Sequence, residues 1–401
     1  MSERLRVAVI ADYLEEGWPS MDLVADMLME HLVKEHAAAI EATLVRPPMP
    51  RRFSRLPQTV VGTKPSVFDR ALARQWDYAR HLRRVKGFDV YHVVDHTYAN
   101  LVHRLPPERT VVTCHDVDAF RSVLEPEAER RSPPYRWMSR RILDGLRQAA
   151  HVMCDSDATR DALAGLAAFP VDRLSVVRNG ADATGWSDSG AASDLEAGRL
   201  LGAPRKHDLL HVGSTIPRKR IDLLIDIFAA VRSVHPDARL IRAGGQFTAE
   251  QRVRARELGV LDAIVVLPFV DRATLSAVYR RAAVTLLPSE REGFGLPLVE
   301  TLACGTPVVA SDIPVLREIG GAVASYAPLG DVEAWRDTVL ALLRERDASP
   351  DAWRERRAAA RAQAADFSWS RYTSRVVDVY AAIARGEHGP PAMSEAHERG
   401  E

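Results

Sequence analysis

Lysine and cysteine are both scarce in this chain, and nowhere does it run apolar for long. Three cysteines, Cys114, Cys154 and Cys304, are odd in number and widely spaced. That argues against a disulfide frame and suits reduced, buried thiols. No apolar stretch is long enough to span a bilayer. The first apolar run, residues 7–11, ends at Asp12 and is too short for the apolar region of a signal peptide, so a cytoplasmic protein is expected. Net charge is missing as well: 54 basic residues balance 54 acidic ones, so no overall field recruits nucleic acid. The chain also lacks a Gly-x-Gly-x-x-Gly fingerprint. Gly17 stands alone after the first strand and Gly244-Gly245 has no third glycine, which argues against a dinucleotide oxidoreductase.

What is present is alternation. Short β-rich runs at 6–11, 41–45, 90–94, 110–113, 152–154 and 175–178 are separated by helical patterns. In one of these, residues 21–35, Leu23, Met27, Leu28 and Leu32 share a helical face. A second series follows, with strands at 209–212, 239–243, 264–267 and 284–287 and helices at 221–234, 249–258 and 273–281. Such alternation predicts α/β architecture with two doubly wound, Rossmann-like parallel sheets. Ligand is then expected in a cleft facing the carboxyl ends of the strands. The 401 residues are too many for one ordinary core. Residues 183–206, small and polar, read as a link between domains 1–182 and 207–367, and the Gly-Pro-Pro tail 386–401 reads as disordered.

One run is richer than any other in chemistry: Pro288-Ser-Glu-Arg-Glu292-Gly-Phe294-Gly295-Leu296-Pro-Leu-Val-Glu300-Thr-Leu-Ala-Cys-Gly-Thr-Pro307. It reads as strand, glycine-broken loop, short helix and second strand, with Pro297 at the helix start and Gly305 past its end. Glu292 then lies in the loop and Glu300 one turn into the helix. The amides of Phe294, Gly295 and Leu296 point out of a helix N-terminus, which favours an anion. Acids beside an anion site suit a ligand carrying both hydroxyls and phosphate.

A second junction, Gly213-Ser214-Thr-Ile-Pro-Arg218-Lys219-Arg220, sits between a strand and a helix and offers a diphosphate clamp. Only five lysines stand against forty-nine arginines, so Lys219 marks a demand for a compact ammonium. The plain alternative is a solvated basic loop. His115 and Asp116 follow a strand and face the expected cleft, where His115 would donate to a hydroxyl or phosphate. His96 ends another strand. It and Asp116 are candidates for the cleft or the acceptor. His92 and His96 lie among β-formers and make no helical i, i+4 metal pair. Gly17 leaves room for a phosphate near the backbone. Two basic stretches, with eleven Lys/Arg between Arg46 and Lys86 and six arginines from Arg130 to Arg147, suit contact with anionic lipid or a solvated surface.

Together these segments resemble the retaining family 4 glycosyltransferases of GT-B fold. Glu292-Gly-Phe-Gly-Leu-Pro-Leu-Val-Glu300 is similar to their Glu-x7-Glu motif. Val212 to Lys219, Arg178-Asn-Gly-Ala-Asp182 and Ser368-Trp369 resemble the family's lobe boundaries. The resemblance implies a hexosyltransferase using a nucleotide-sugar donor, an unidentified acceptor, no metal or cofactor, and a crossover helix at 368–385 returning to the N-terminal lobe. It implies that Glu292 and His115 meet the donor sugar, Glu300 the ribose, Arg218 and Lys219 the diphosphate, and Phe294, Gly295 and Leu296 the sugar or phosphate. The glycines Gly213 and Gly17 would line the donor. Many members carry arginine where this chain has Ser214, so Arg218 is expected to supply that charge. A nucleotide-sugar epimerase, a phosphorylase or a non-catalytic nucleotide-sugar-binding module are the alternatives.

Overall fold

The computed structural model describes residues 4–52, 67–167, 169–181, 186 and 190–387. The chain divides into two compact units: residues up to Asn179 together with those from Trp369 onward, and Gly180–Ser368. Each is built on six parallel strands.

In the first unit the strands β1 (Leu5–Ile10), β2 (Ile40–Val45), β3 (Val90–Val93), β4 (Thr110–Cys114), β5 (His151–Cys154) and β6 (Leu174–Val176) lie in the order β2-β1-β3-β4-β5-β6. The order reverses between β1 and β3, so the loops after those strands diverge and leave a crevice at their carboxyl ends. Strands β3, β4 and β5 are buried along their whole length, as expected of a parallel sheet covered on both faces. One face packs against α1 (Pro19–Glu35), with Val7, Val9, Val24 and Leu28 in one apolar cluster.

In the second unit β7 (Asp208–Val212), β8 (Arg239–Ala243), β9 (Ile264–Val266), β10 (Val284–Leu287), β11 (Val308–Ser311) and β12 (Ser325–Ala327) lie in the order β12-β11-β10-β7-β8-β9. Here the reversal falls between β7 and β10, the strands that precede the two informative loops.

Residues 183–206 do not form a plain link. Their described part contains the helix Ala191–Leu201, which belongs to the second unit. Ala197 and Leu201, four apart, are buried, and Arg280 ties the helix down by a 2.8 Å bond to Asp194. One alanine and one leucine at helical spacing were enough to bury one face, although the segment has few large apolar residues. The last helix, Trp369–Ala384, lies in the first unit. Its Trp369, Tyr372, Val376 and Tyr380 join the cluster of Val7 and Val9. Tyr380 Oη lies 2.7 Å from His92 Nδ1, and the other ring nitrogen of His92 lies 2.7 Å from Thr113 Oγ1. His92 is therefore a satisfied core residue on a strand. Most of the expected disordered tail, from residue 388 on, lies outside the described residues, as do residues 53–66 within the first basic stretch.

Candidate active site

The loops after β7 and β10 meet at the switch point of the second sheet. After β7 a single 3-10 turn, Pro217–Lys219, hands over to the helix Ile221–Arg232 through Arg220, whose φ of 48° makes it the one described non-glycine residue with positive φ. A left-handed arginine costs about 1–2 kcal/mol and persists only where its surroundings hold it, often at a functional site. Here the turn sends Lys219 and Arg218 toward the loop after β10. Lys219 Nζ lies 2.5 Å from Glu292 Oε1 and Arg218 NH1 lies 3.3 Å from Glu292 Oε2. Arg218 also donates to the Arg291 carbonyl at 2.9 Å. The backbone of Glu290 donates to the Arg218 carbonyl at 2.8 Å, stitching the two loops together.

The Glu292 side chain is only 8% exposed. Burial pushes its carboxyl up, but Lys219 and then Arg218 outweigh it, so the acid sits below its ordinary range. The acid and the cations expected to serve different parts of a ligand thus neutralise each other.

Behind Lys219 lies a residue that the motif reading missed. Arg242, on β8, is fully buried, with NH1 2.5 Å from the Gly245 carbonyl and NH2 3.1 Å from the Gly213 carbonyl. Its Nε finds no partner among the described residues. Burial lowers its pKa to about 10. Both of these partners are backbone carbonyls, which carry no formal charge, so the guanidinium adds positive potential behind Gly213. His211, beside it in the β7–β8 ladder, is kept neutral by burial, Arg242 and Lys219. Gly244 is obligatory here: its φ is 113°, and a Cβ would stand 2.2 Å from the Gly213 oxygen. Gly213 packs against the His211 ring, while Ser214 is exposed.

The helix Leu296–Ala303 starts from Gly295, whose φ is 92°. Among the described residues no backbone carbonyl accepts from the amides of Phe294, Gly295 or Leu296, so the helix start presents free donors. The Phe294 ring packs edge-on against Phe367 at 5.8 Å, a packing role. Glu300 accepts a 2.9 Å hydrogen bond from Tyr279, and burial lifts its carboxyl above the ordinary range despite that bond.

The first unit gathers ionisable groups at the carboxyl ends of its strands: Asp12 after β1, Asp95 and His96 after β3, His115 and Asp116 after β4, Asp155 after β5. Asp12, Asp95, His96, His115 and Asp155 are all buried. Burial, with Asp95 beside it, holds the Asp12 carboxyl protonated well above its usual range. Asp95 stays ionised, accepting from the Thr97 amide at 2.8 Å and the Thr97 hydroxyl at 2.6 Å. His96 lies 3.4 Å from both Asp95 and Asp116, and its Nδ1 accepts from the His115 amide at 3.2 Å.

Both nitrogens of His115 are committed: Nδ1 to Asp155 at 3.2 Å and Nε2 to the Val94 carbonyl at 2.9 Å. With Asp155 ionised both partners only accept, so the ring donates twice as an imidazolium. Burial opposes that charge, but the Asp155 bond and field outweigh it and raise the pKa to about 9. Burial also lifts the Asp155 carboxyl, with His115 opposing; the two-donor geometry favours the ionised pair. His115 is thus a fixed positive charge with no spare nitrogen for a hydroxyl in this arrangement. Gly17, with φ 68°, ends the 3-10 turn Leu14–Glu16. Beside it Glu16 pairs with Arg74, so this loop carries an acid where a phosphate was expected.

Residues 25–184 match the family described as Glycosyltransferase Family 4, and residues 199–362 that described as Glycosyl transferases group 1. The O-antigen chain mannosyltransferase B of Escherichia coli is 30% identical over 293 residues, 70% of this chain and 71% of that protein. A D-inositol 3-phosphate glycosyltransferase of Streptosporangium roseum is 31% identical over 298 residues, 71% of this chain and 66% of that protein. Among solved structures, sucrose-phosphate synthase from Thermosynechococcus elongatus superimposes with a TM-score of 0.73 at 19% identity, covering 96% of this chain and all of that one. Anabaena HepE, solved with UDP and glucose, gives 0.69 at 16% identity, covering 94% of this chain and 100% of that one. These two likenesses establish the GT-B fold.

Proposed function

We propose a donor class, a stereochemical course and an acceptor face for this chain, which belongs to glycosyltransferase family 4 and is a hexosyltransferase. The reaction moves a hexose from a nucleoside-diphosphate sugar to an acceptor hydroxyl with retention at the anomeric carbon. The observation that carries this reading is the Lys219–Glu292–Arg218 cluster at the switch point of the second sheet. Two cations and a buried acid within one hydrogen-bonded group match a ligand that is anionic at one end and hydroxylated at the other.

In the proposed course the bond from the sugar's anomeric carbon to the β-phosphate oxygen breaks, and the acceptor oxygen bonds to the same face of that carbon. The acceptor's proton passes to the departing phosphate oxygen. The protein's task is to stabilise charge on the diphosphate and hold the partners in place. Lys219, Arg218 and the free amides at the start of the helix Leu296–Ala303 do the first. Glu292, released from the cations, accepts from hydroxyls of the hexose, and Glu300 from the ribose. Because side-chain cations carry the counter-charge, turnover is expected to persist in EDTA. Anabaena HepE has been solved with UDP-glucose, which supports a nucleotide-sugar donor.

The test is a thermal-shift series with UDP, GDP and ADP, since a ligand that binds only the folded state raises its apparent stability. The matching sugar nucleotide is then incubated with acceptor, and the product anomer is read by NMR. One diphosphate should stabilise the protein and the product should keep the donor's anomeric configuration. An inverted product overturns the proposed course, and transfer with no stabilisation by any diphosphate overturns the donor assignment.

For the acceptor, the first unit offers an exposed apolar stripe. Phe68, Leu72 and Trp76, each four residues apart, are 73%, 42% and 68% exposed. Arg80, Arg83, Arg84 and Lys86 follow, also exposed. Apolar side chains followed by cations suit the surface of an anionic membrane, and so a lipid-linked acceptor. Sedimentation with anionic vesicles should be strong at low salt and lost in Trp76→Ser. Equal binding to neutral vesicles, or none to anionic ones, refutes this part.

A further inference from the structure

The second unit carries a cluster of metal-ligand type at the end of its sheet opposite the loops described above. His207 immediately precedes β7, and His235 and Asp237 lie in the turn that leads into β8. These three residues offer ligand atoms that all lie within 4.8 Å of one another. His207 Nδ1 is 2.8 Å from Asp237 Oδ2, and the His207 and His235 rings lie with centroids 4.2 Å apart, tilted by 32°. The His207 side chain is 8% exposed, against 62% for Asp237. The buried Nε2 of His207 has no hydrogen-bond partner among the described residues, so no second contact fixes the ring's tautomer.

The scaffold beneath is tight. Arg239 donates to the His207 carbonyl at 3.1 Å, Ala238 to the His235 carbonyl at 2.9 Å, and His235 to the Val231 carbonyl at 2.9 Å. Neighbouring cations are already matched: Arg239 pairs with Asp208 at 2.7 Å and Lys206 with Asp347 at 2.9 Å. Two imidazoles and one carboxylate form the donor set of borderline divalent cations such as zinc. Bonds of about 2.0–2.2 Å to one such ion bring its ligands to roughly 3.3 Å from each other. The set contracts to that spacing by turning His235 and Asp237, whose side chains border solvent, toward the buried His207.

We propose that His207, His235 and Asp237 bind one zinc-like divalent cation, which replaces the proton between His207 Nδ1 and Asp237 and leaves its remaining positions to water. The ion clamps the start of β7 to the turn before β8. Its place at the amino ends of these strands separates it from Lys219 and Glu292 at the carboxyl ends, so it acts on stability and takes no part in donor chemistry. The proposal stands independently of the assigned reaction.

The test uses the full chain, stripped with EDTA and returned to metal-free buffer, titrated with ZnCl2 by calorimetry and followed by thermal unfolding. One zinc should bind per chain and raise the unfolding midpoint. His235→Ala and Asp237→Asn, both near the surface and tolerable to the fold, should each weaken binding by more than about tenfold. CoCl2 should give a visible absorption band that His207→Gln abolishes. Zinc binding that is unchanged in both surface variants, or absent from the wild-type chain, overturns the proposal.

Discussion

Removing Lys219 tests whether the ion cluster is an electrostatic unit or a set of coincidental contacts. In Lys219→Met the apolar stem is kept and the ammonium 2.5 Å from Glu292 is lost. The carboxylate, 8% exposed, keeps Arg218 NH1 at 3.3 Å as its counter-charge. Breaking a buried pair from one side typically costs 3–5 kcal/mol, and the surviving arginine places this case at the low end, about 3 kcal/mol. For a unit of this size that lowers the unfolding midpoint by about 6–12 °C. The sign with pH is also fixed. In the wild-type chain Glu292 lies below its ordinary range, so it contributes stability above the unfolded carboxyl pKa and loses it as pH falls through the folded value. In the variant burial dominates and the pKa rises above the unfolded value. The variant's deficit is then largest at neutral pH and narrows as pH falls and Glu292 takes up a proton. Calorimetric unfolding at two pH values, with Lys219→Met/Glu292→Gln as the closing corner of a double-mutant cycle, measures this. The double variant should recover most of the loss. A deficit that is the same at both pH values, or additive losses in the double variant, refutes the reasoning.

Glu292→Gln should lower turnover about a hundredfold, the scale of one lost transition-state contact, while nucleoside-diphosphate affinity stays within about tenfold; steady-state kinetics beside calorimetric titration separate the two. Arg242→Met removes an uncompensated buried charge, so stability should change little while diphosphate affinity falls by about tenfold, or roughly 1.4 kcal/mol; loss of stability with unchanged affinity would make Arg242 a purely structural residue. His115 is raised to about 9, so its charge stabilises the fold fully below about pH 6.5 and the contribution, about 3 kcal/mol, drains away as pH rises to 9. Urea titrations across that range should show the decline in the wild-type chain and a flatter profile in His115→Gln.

The fold was legible because buried parallel strands announce themselves as short apolar runs. The strands 239–243 and 284–287 were read to the residue, since glycine or proline follows each of them. Strand β12 is Ser-Tyr-Ala and offers no such run, and the helix Ala191–Leu201 hides in a segment poor in large apolar residues where only Ala197 and Leu201 betray a face. Boundaries elsewhere shifted by a residue or two, because strand ends are decided by pairing with neighbours and not by the local sequence.

The site divides along the same line. Lys219 and Glu292 were legible singly, the lysine by its rarity and the glutamate by its motif, but their contact depends on β7 lying beside β10, which no local pattern encodes. Arg242 interrupts the apolar run Leu240-Ile241 within a strand, and a charge in that setting was the available signal. Asp12, Asp95 and Asp155 each follow a strand end, where an isolated acid is also the ordinary mark of a turn. Only their convergence distinguishes the two, and convergence is a property of the sheet order. The same logic explains His115: its position after β4 was readable, while its commitment to Asp155 and Val94 required knowing which strands flank it. Sequence therefore names the groups that carry charge. The sheet decides which of them neutralise one another, and in this chain it sets Glu292 against Lys219 and Arg218, and His115 against Asp155.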